Sequence, residues 1–410
     1  MSSYAAVLQL PYALRTFASA LLARLSYGLV PLSVLLTTVH ATGSYAVAGV
    51  VMAVFGGTVV VLTPLRAGLV DRFGPRRALQ PMAFLYTTGL CAFALTSTHP
   101  SPSLLCATIA LTGTCAPPLG PTMRTLWSEL APDKRLLQRA YSLDGVAEEL
   151  LFVTGPVLVG VLAGVAPPVV GVLVSAGVLA VGTWGFVRSP GVRGFGGVEG
   201  AGADADDVEA RPTDIGPAPH TSPLLTPLAI ATAAGLALSG ADLLVTAFAQ
   251  RHGHSPGTAA WTLAALSAGS AIGGLVNGAV DWHTPARTRL PRLAATLGLL
   301  LLTAALAPDL PTLTAALTLA GAFISPTLTT AYLIADESST PATRTRSTAW
   351  INTAMNAGSS AGAAATGLLL SRAPLSACFA AAGAVVLVTG AGGAWAERGR
   401  GGRREKAERR

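Results

Sequence analysis

Charge is what this sequence has least of. Asp, Glu, Lys and Arg make up 11% of its 410 residues, against 51% apolar residues and a mean hydropathy of +0.56, whereas a soluble domain carries about 25% charged residues. That supply cannot cover a water-facing surface, so a soluble globular protein is excluded and a lipid-facing one is expected. Cysteine is scarce as well. Cys91, Cys106, Cys115 and Cys378 all lie in apolar stretches without metal-ligand spacing, which argues against a disulfide framework or a zinc site and leaves them as small packing residues. The six histidines (His40, His99, His220, His252, His254, His283) fall in loops or at the ends of apolar runs, and no phosphate-cradling Walker loop occurs. We therefore expect no enzymatic activity, no cofactor, no metal and no drive by ATP.

What the chain does have is long runs without charge: 25–65, 78–123, 150–187, 215–241, 252–280, 310–335, 347–371 and 373–396. A membrane span needs about 20 apolar residues, so the longest runs hold two spans each. Turn formers divide them at 41–44, 99–103 and 164–168. With a shorter apolar run at 293–307, the pattern predicts an all-α membrane protein with twelve transmembrane helices. Their expected limits are 14–38, 45–66, 78–97, 104–127, 138–163, 169–187, 224–249, 258–281, 291–307, 312–334, 347–370 and 375–396. A cleaved signal peptide ending near Ala41 is the competing reading of the first span; it would leave an odd number of spans.

Basic residues set the expected orientation. With the N-terminus in the cytoplasm, 24 Lys and Arg fall on the inner side, two (Arg251, Arg372) fall outside, and Arg24 lies within a span. Both termini are then cytoplasmic and the location is the cell membrane of a bacterium. The pI of 9.6 follows from the same asymmetry and the basic tail can lie against anionic lipid, so nucleic-acid binding is not needed to explain it.

Between Ser189 and Ser222 the apolar residues give way to Gly, Pro, Asp and Glu. The expected organisation is a six-helix bundle at 1–188, a flexible cytoplasmic linker at 189–222, a second six-helix bundle at 223–396 and a basic cytoplasmic tail at 397–410. The halves echo each other. Gly68, Asp71, Pro75 and Arg77 recur as Gly278, Asp281, Pro285 and Arg287 at a constant offset of 210. Parallel repeats of this kind place a substrate site near the midplane between the halves.

The segment from Gly68 to Arg77, with Asp71, Arg72, Gly74, Arg76 and Arg77, resembles the loop signature Gly-x-x-x-Asp-Arg-x-Gly-Arg-Arg/Lys between the second and third helices of the major facilitator superfamily. Its leading glycine lies three residues before Asp71 where the family usually has it four before. The resemblance extends from about Leu10 to Trp395: Leu266 to Gly278 and Trp350 to Gly358 look like the eighth and eleventh helices of bacterial efflux members, with Thr345-Arg346 where Thr-Glu often stands. Gly155, Pro156 and Gly160 resemble the fifth-helix signature of drug antiporters, with Val159 in place of one glycine. Small residues beside a proline also permit close helix contact in any membrane protein. The resemblance implies the fold of that family, in which two pseudo-symmetric six-helix halves alternate access to a central site. In this role the loop is a conformational switch: Asp71 caps a helix end, while Arg72, Arg76 and Arg77 clamp the cytoplasmic face.

Ionisable groups within spans are costly and functional by default. Arg24 lies nine residues beyond Arg15, roughly 13 Å deeper. On the fifth span Asp144, Glu148 and Glu149 reach a similar depth; Asp144 and Glu148 share a face and Glu149 points about 100° away. A carboxylate left without a cation suits a proton carrier, whereas an Arg24–Glu149 pair would merely lock the first and fifth spans together. Asp242 is expected as a second buried acid. Tyr27, Asn277, Tyr332, Trp350, Asn352 and Asn356 are candidates for the substrate cavity, and Pro117, Pro118 and Pro121 beside Gly113 and Gly120 predict an interrupted fourth span. The expected function is a proton-coupled exporter of a small organic molecule, monomeric in the bilayer, with protons as coupling ion. Uptake of a sugar or amino acid, or a non-transporting sensor or scaffold, stand as alternatives.

Overall fold

The computed structural model describes residues 4–99, 101–193, 224–254 and 256–408. Among these it is helical throughout, without a β-strand. Helices α1 (Tyr4–Leu8), α2 (Ala13–Thr42), α3 (Tyr45–Thr96), α4 (Pro102–Thr114), α5 (Leu119–Leu130), α6 (Lys134–Val165), α7 (Val169–Arg188) and α8 (Pro190–Arg193) form the first half. The second half comprises α9 (Leu225–Arg251), α10 (Pro256–Ala279), α11 (Ala286–Ala304), α12 (Leu310–Gly321), α13 (Ile324–Glu337), α14 (Arg344–Leu370) and α15 (Leu375–Glu408). Most of the expected linker lies outside the described residues; its first positions form α8. Helix α15 continues to Glu408, through most of the tail expected from 397.

All twelve apolar segments are helical, yet nine helices among the described residues are long and apolar enough to cross a membrane by length and composition. The second and third expected spans are joined in the single helix α3 of 52 residues. Neither α11 nor α14, which carry arginines or many polar residues, is among the nine. Helix limits follow local chemistry. Ser44, Asp133 and Asp309 cap α3, α6 and α12 by accepting from Val47, Leu136 and Thr312 amides, and the Thr312 hydrogen bonds hold the Asp309 carboxyl below its usual range. Gly74, at φ 78° and ψ 157°, breaks α3 where a side chain would be strained.

The fourth segment is interrupted as its prolines predict: α4 ends at Thr114 and α5 begins at Leu119. Carbonyls freed by such a break need donors in a membrane. Arg66 Nη1 supplies one to Gly113 O at 2.6 Å, and the Tyr27 hydroxyl supplies another to Pro117 O. A matching break separates α12 from α13 in the second half.

Backbone approaches hold each half together. A Cβ on Gly155 would lie 2.4 Å from the Gly28 carbonyl carbon, so α2 and α6 cross main chain to main chain. Gly235 and Gly358 do the same for α9 and α14, where an added Cβ on either would lie 2.0 Å from a carbonyl oxygen of the other helix. One apolar cluster belongs to each half, whereas a third, with Trp127, Tyr141, Leu290, Tyr332 and Ile351, spans both at the end of the bundle where α8 leads into the linker. That linker end is therefore closed.

Candidate functional site

Two arginines and two acids meet inside the first half. Asp144 and Glu148, four residues apart on α6, face Arg24 of α2 and Arg124 of α5. Arg24 Nη1 lies 2.6 Å from Asp144 Oδ1 and its Nη2 3.0 Å from Glu148 Oε2; Arg124 Nε lies 3.0 Å from Asp144 Oδ2, and its Nη2 pairs with Glu148. Both arginines are 1% exposed and Asp144 is fully buried. Each acid thus touches both cations, closing a ring whose net charge is zero, the condition under which buried ions persist.

This ring corrects the expected pairing. Arg24 does not meet Glu149, and a second arginine, Arg124, completes the cluster. Glu149 lies on the adjoining face of α6, where its Oε1 accepts from the Ser270 hydroxyl on α10 of the other half and its Oε2 is buried without a hydrogen-bond partner. It is the acid left over. Arg124 is among the 24 basic residues assigned to the inner side, yet it falls inside the expected span 104–127, the sequence signal that it is not a surface residue. Arg66 is likewise buried, at the α4–α5 break. Ser270 had no signal of its own.

The ring touches the second half through Tyr332 of α13, over whose ring the Arg124 guanidinium stacks at 3.9 Å. Arg124 and Tyr332 each lie just beyond the helix break of their own half. The Tyr332 hydroxyl donates to Asn352 Oδ1 at 3.2 Å, so two of the expected cavity residues are brought to the ring. Tyr27 serves the α4–α5 break. Trp350 and Asn356 are exposed on α14. Asp242 lies on α9 with part of its side chain accessible, and makes no ion pair among the described residues. Asn277 lies not in the cavity but in the contact at the linker end, its Nδ2 3.4 Å from Ser142 Oγ.

At the linker end the loop acids act in reciprocal fashion. Asp71 accepts from the backbone amides of Thr345 and Arg346 at 3.0 and 2.8 Å, capping α14 of the other half. Its repeat Asp281 pairs with Arg135 at 2.9 Å and Arg139 at 3.4 Å on the first turns of α6. Gly68 sits beneath Arg346, whose Cδ would be 3.5 Å from an added Cβ. The expected arginine clamp takes a different form, since Arg72 and Arg76 are exposed and Arg72 packs over the neighbouring Phe73; Arg77 is exposed as well. In the fifth-helix signature Gly155 is required by the crossing with Gly28, whereas an added Cβ at Gly160 meets nothing within 4 Å.

The sequence matches the family model described as Major Facilitator Superfamily over residues 16–300 and 228–410. Similar solved structures include the Escherichia coli fucose:proton symporter FucP, with 16% identity, 96% of this chain and 99% of that chain covered and a TM-score of 0.67. The human organic anion transporter MFSD10 is similar at 16% identity, 95% and 99% coverage and a TM-score of 0.68. A bacterial homologue of the iron transporter ferroportin in an outward-facing state is similar at 14% identity, 93% and 96% coverage and a TM-score of 0.72. No curated protein matches the sequence. Family model and fold agree from one end of the chain to the other: this chain belongs to the Major Facilitator Superfamily, a multi-pass membrane transporter rather than an enzyme.

Proposed function

We propose that this secondary transporter is a proton-coupled exporter of a small organic molecule, working by alternating access between six-helix halves at 1–188 and 223–396. The linker end is taken as cytoplasmic because nearly all Lys and Arg cluster there, an asymmetry that survives the removal of the buried Arg66 and Arg124 from the count. With twelve spans and both termini inside, the closed linker end corresponds to an outward-facing conformer. The observation that carries the coupling is Glu149. Arg24 and Arg124 are committed to Asp144 and Glu148, so the Glu149 carboxylate has a hydroxyl of the opposite half as its hydrogen-bond donor. Separation of the halves exposes the carboxyl to water, which stabilises its charged form so that the proton leaves; return to this conformer buries the group again and favours the neutral, protonated form. Each cycle then moves a proton against one substrate.

Purified protein in liposomes, loaded with a compound found by screening a deletion strain against a toxin panel, tests the reading. Glu149→Gln is expected to abolish transport driven by a pH gradient while retaining substrate exchange, since it removes only the titratable charge. Persistence of pH-driven accumulation in this variant would refute coupling through Glu149. Topology is checked separately by single cysteines: those at Ser44, Ser101 and Gly253 should react with an impermeant thiol reagent from outside, and those at Gly74, Ala205 and Gly401 should not.

A further inference from the structure

A second polar site lies at the linker end, apart from the Arg24 ring. A cavity of about 820 Å³ opens between the start of α6 and the loop joining α10 to α11. The acids around it are all engaged: Glu337 with Lys134 at 2.7 Å, Asp336 with Arg344 at 3.0 Å, Asp281 with Arg135 at 2.9 Å, and Asp133 as the cap of α6. Two guanidiniums that line the cavity make no ion pair among the described residues, although the Glu337 carboxylate acts on Arg289 from a distance. Arg287 donates to the Ser338 hydroxyl at 2.8 Å. Arg289 donates to Gln138 Oε1 of the other half at 3.0 Å and lies 4.9 Å from the ring centre of Trp282. Arg289 is 5% exposed, and its Nε is buried without a hydrogen-bond partner.

A buried cation hydrogen-bonded only to neutral groups, with the nearby acid already paired to Lys134, is costly unless an anion completes the site. Guanidinium forks match the oxygens of carboxylates and phosphates. Both forks line one cavity and can together engage more oxygens than the two of a carboxylate, which a phosphate group supplies. We propose that this cavity binds a phosphate group through Arg287 and Arg289, and that with Gln138 at the same site its occupancy fastens the two halves in the closed arrangement. The phosphate is that of a lipid headgroup or of a free phosphate, which share this chemistry. The proposal does not rest on the direction or coupling of transport.

The test uses the full chain in nanodiscs of phosphatidylcholine. The thermal unfolding midpoint is measured with inorganic phosphate added at constant ionic strength, and in parallel with part of the lipid replaced by phosphatidylglycerol. Saturating ligand should raise the midpoint by about 2 °C or more. Arg287→Gln, at a half-buried position that holds no acid, should weaken the apparent affinity about tenfold or more; Arg289→Lys keeps the buried charge, removes the fork and serves as the second variant. A shift from phosphate alone identifies the free anion, and a shift from phosphatidylglycerol alone identifies the headgroup; either, if lost in one of the variants, supports the site. No shift in either arm, or a shift that both variants retain, overturns it.

Discussion

Replacing Arg124 by methionine is the most direct test of the buried ring. The variant leaves Arg24 facing both Asp144 and Glu148, so one negative charge is uncompensated inside the first half. Charge centres about 4 Å apart interact by about 4 kcal/mol at an effective dielectric of 20. Arg124 makes two such contacts, but the Glu148 side chain is 22% exposed and its share is screened. Loss of one partner from a buried pair costs about 3 to 5 kcal/mol, and the ring predicts a loss in that range for Arg124→Met. Adding Glu148→Gln restores neutrality and keeps the 2.6 Å pair of Arg24 with Asp144. The double variant should therefore recover about 2 kcal/mol or more relative to the sum of the single changes. Equilibrium unfolding in mixed micelles of dodecylmaltoside and sodium dodecyl sulfate measures all three. A cost under about 1 kcal/mol for Arg124→Met, or strict additivity of the pair, would refute the closed ring. Tyr332→Leu, run alongside, separates the stacking contact, which contributes about 1 to 2 kcal/mol.

Two further outcomes follow from the helix crossings and the linker end. Gly155→Ala should destabilise by about 1 to 3 kcal/mol, because its Cβ would meet the Gly28 backbone at 2.4 Å, whereas Gly160→Ala, with free space around it, should be neutral or slightly stabilising; equal melting shifts would contradict the crossing. Asp71→Asn removes one of the two acceptor oxygens and the charge at the N-terminus of α14, a loss of about 1 to 2 kcal/mol from the closed arrangement. It should speed labelling of a cysteine placed at Ser142, which is buried in the contact between the halves, and an unchanged labelling rate would remove Asp71 from the closure.

Much of this was legible because membrane helices obey simple constraints. Low charge and run length predict helices, since every backbone polar group in lipid must be satisfied within its own segment, and all twelve apolar segments are helical. The interruption at Pro117 and Pro118 was readable for the same reason, as was the repeat that relates Asp71 to Asp281. Helical phase alone placed Asp144 and Glu148 on one face and Glu149 off it. The mispairing of Arg24 arose because phase within one helix says nothing about the rotation of that helix against its neighbours.

That rotation belongs to the tertiary structure. The main-chain contact of Gly28 with Gly155 sets α6 against α2 so that the Asp144 and Glu148 face meets Arg24 and Glu149 is turned toward Ser270. Arg124 becomes part of the ring because α5 brings it against the Asp144 and Glu148 face of α6. Composition and periodicity therefore determined that the chain is helical, membrane-spanning and duplicated, since those properties depend on each segment's own backbone and its solvent. Which charges neutralise one another, and which acid is left between the halves, was decided only by packing, because a partner is chosen by distances of a few ångströms between different helices, 24 residues apart for Arg124 and Glu148 and 120 for Arg24 and Asp144.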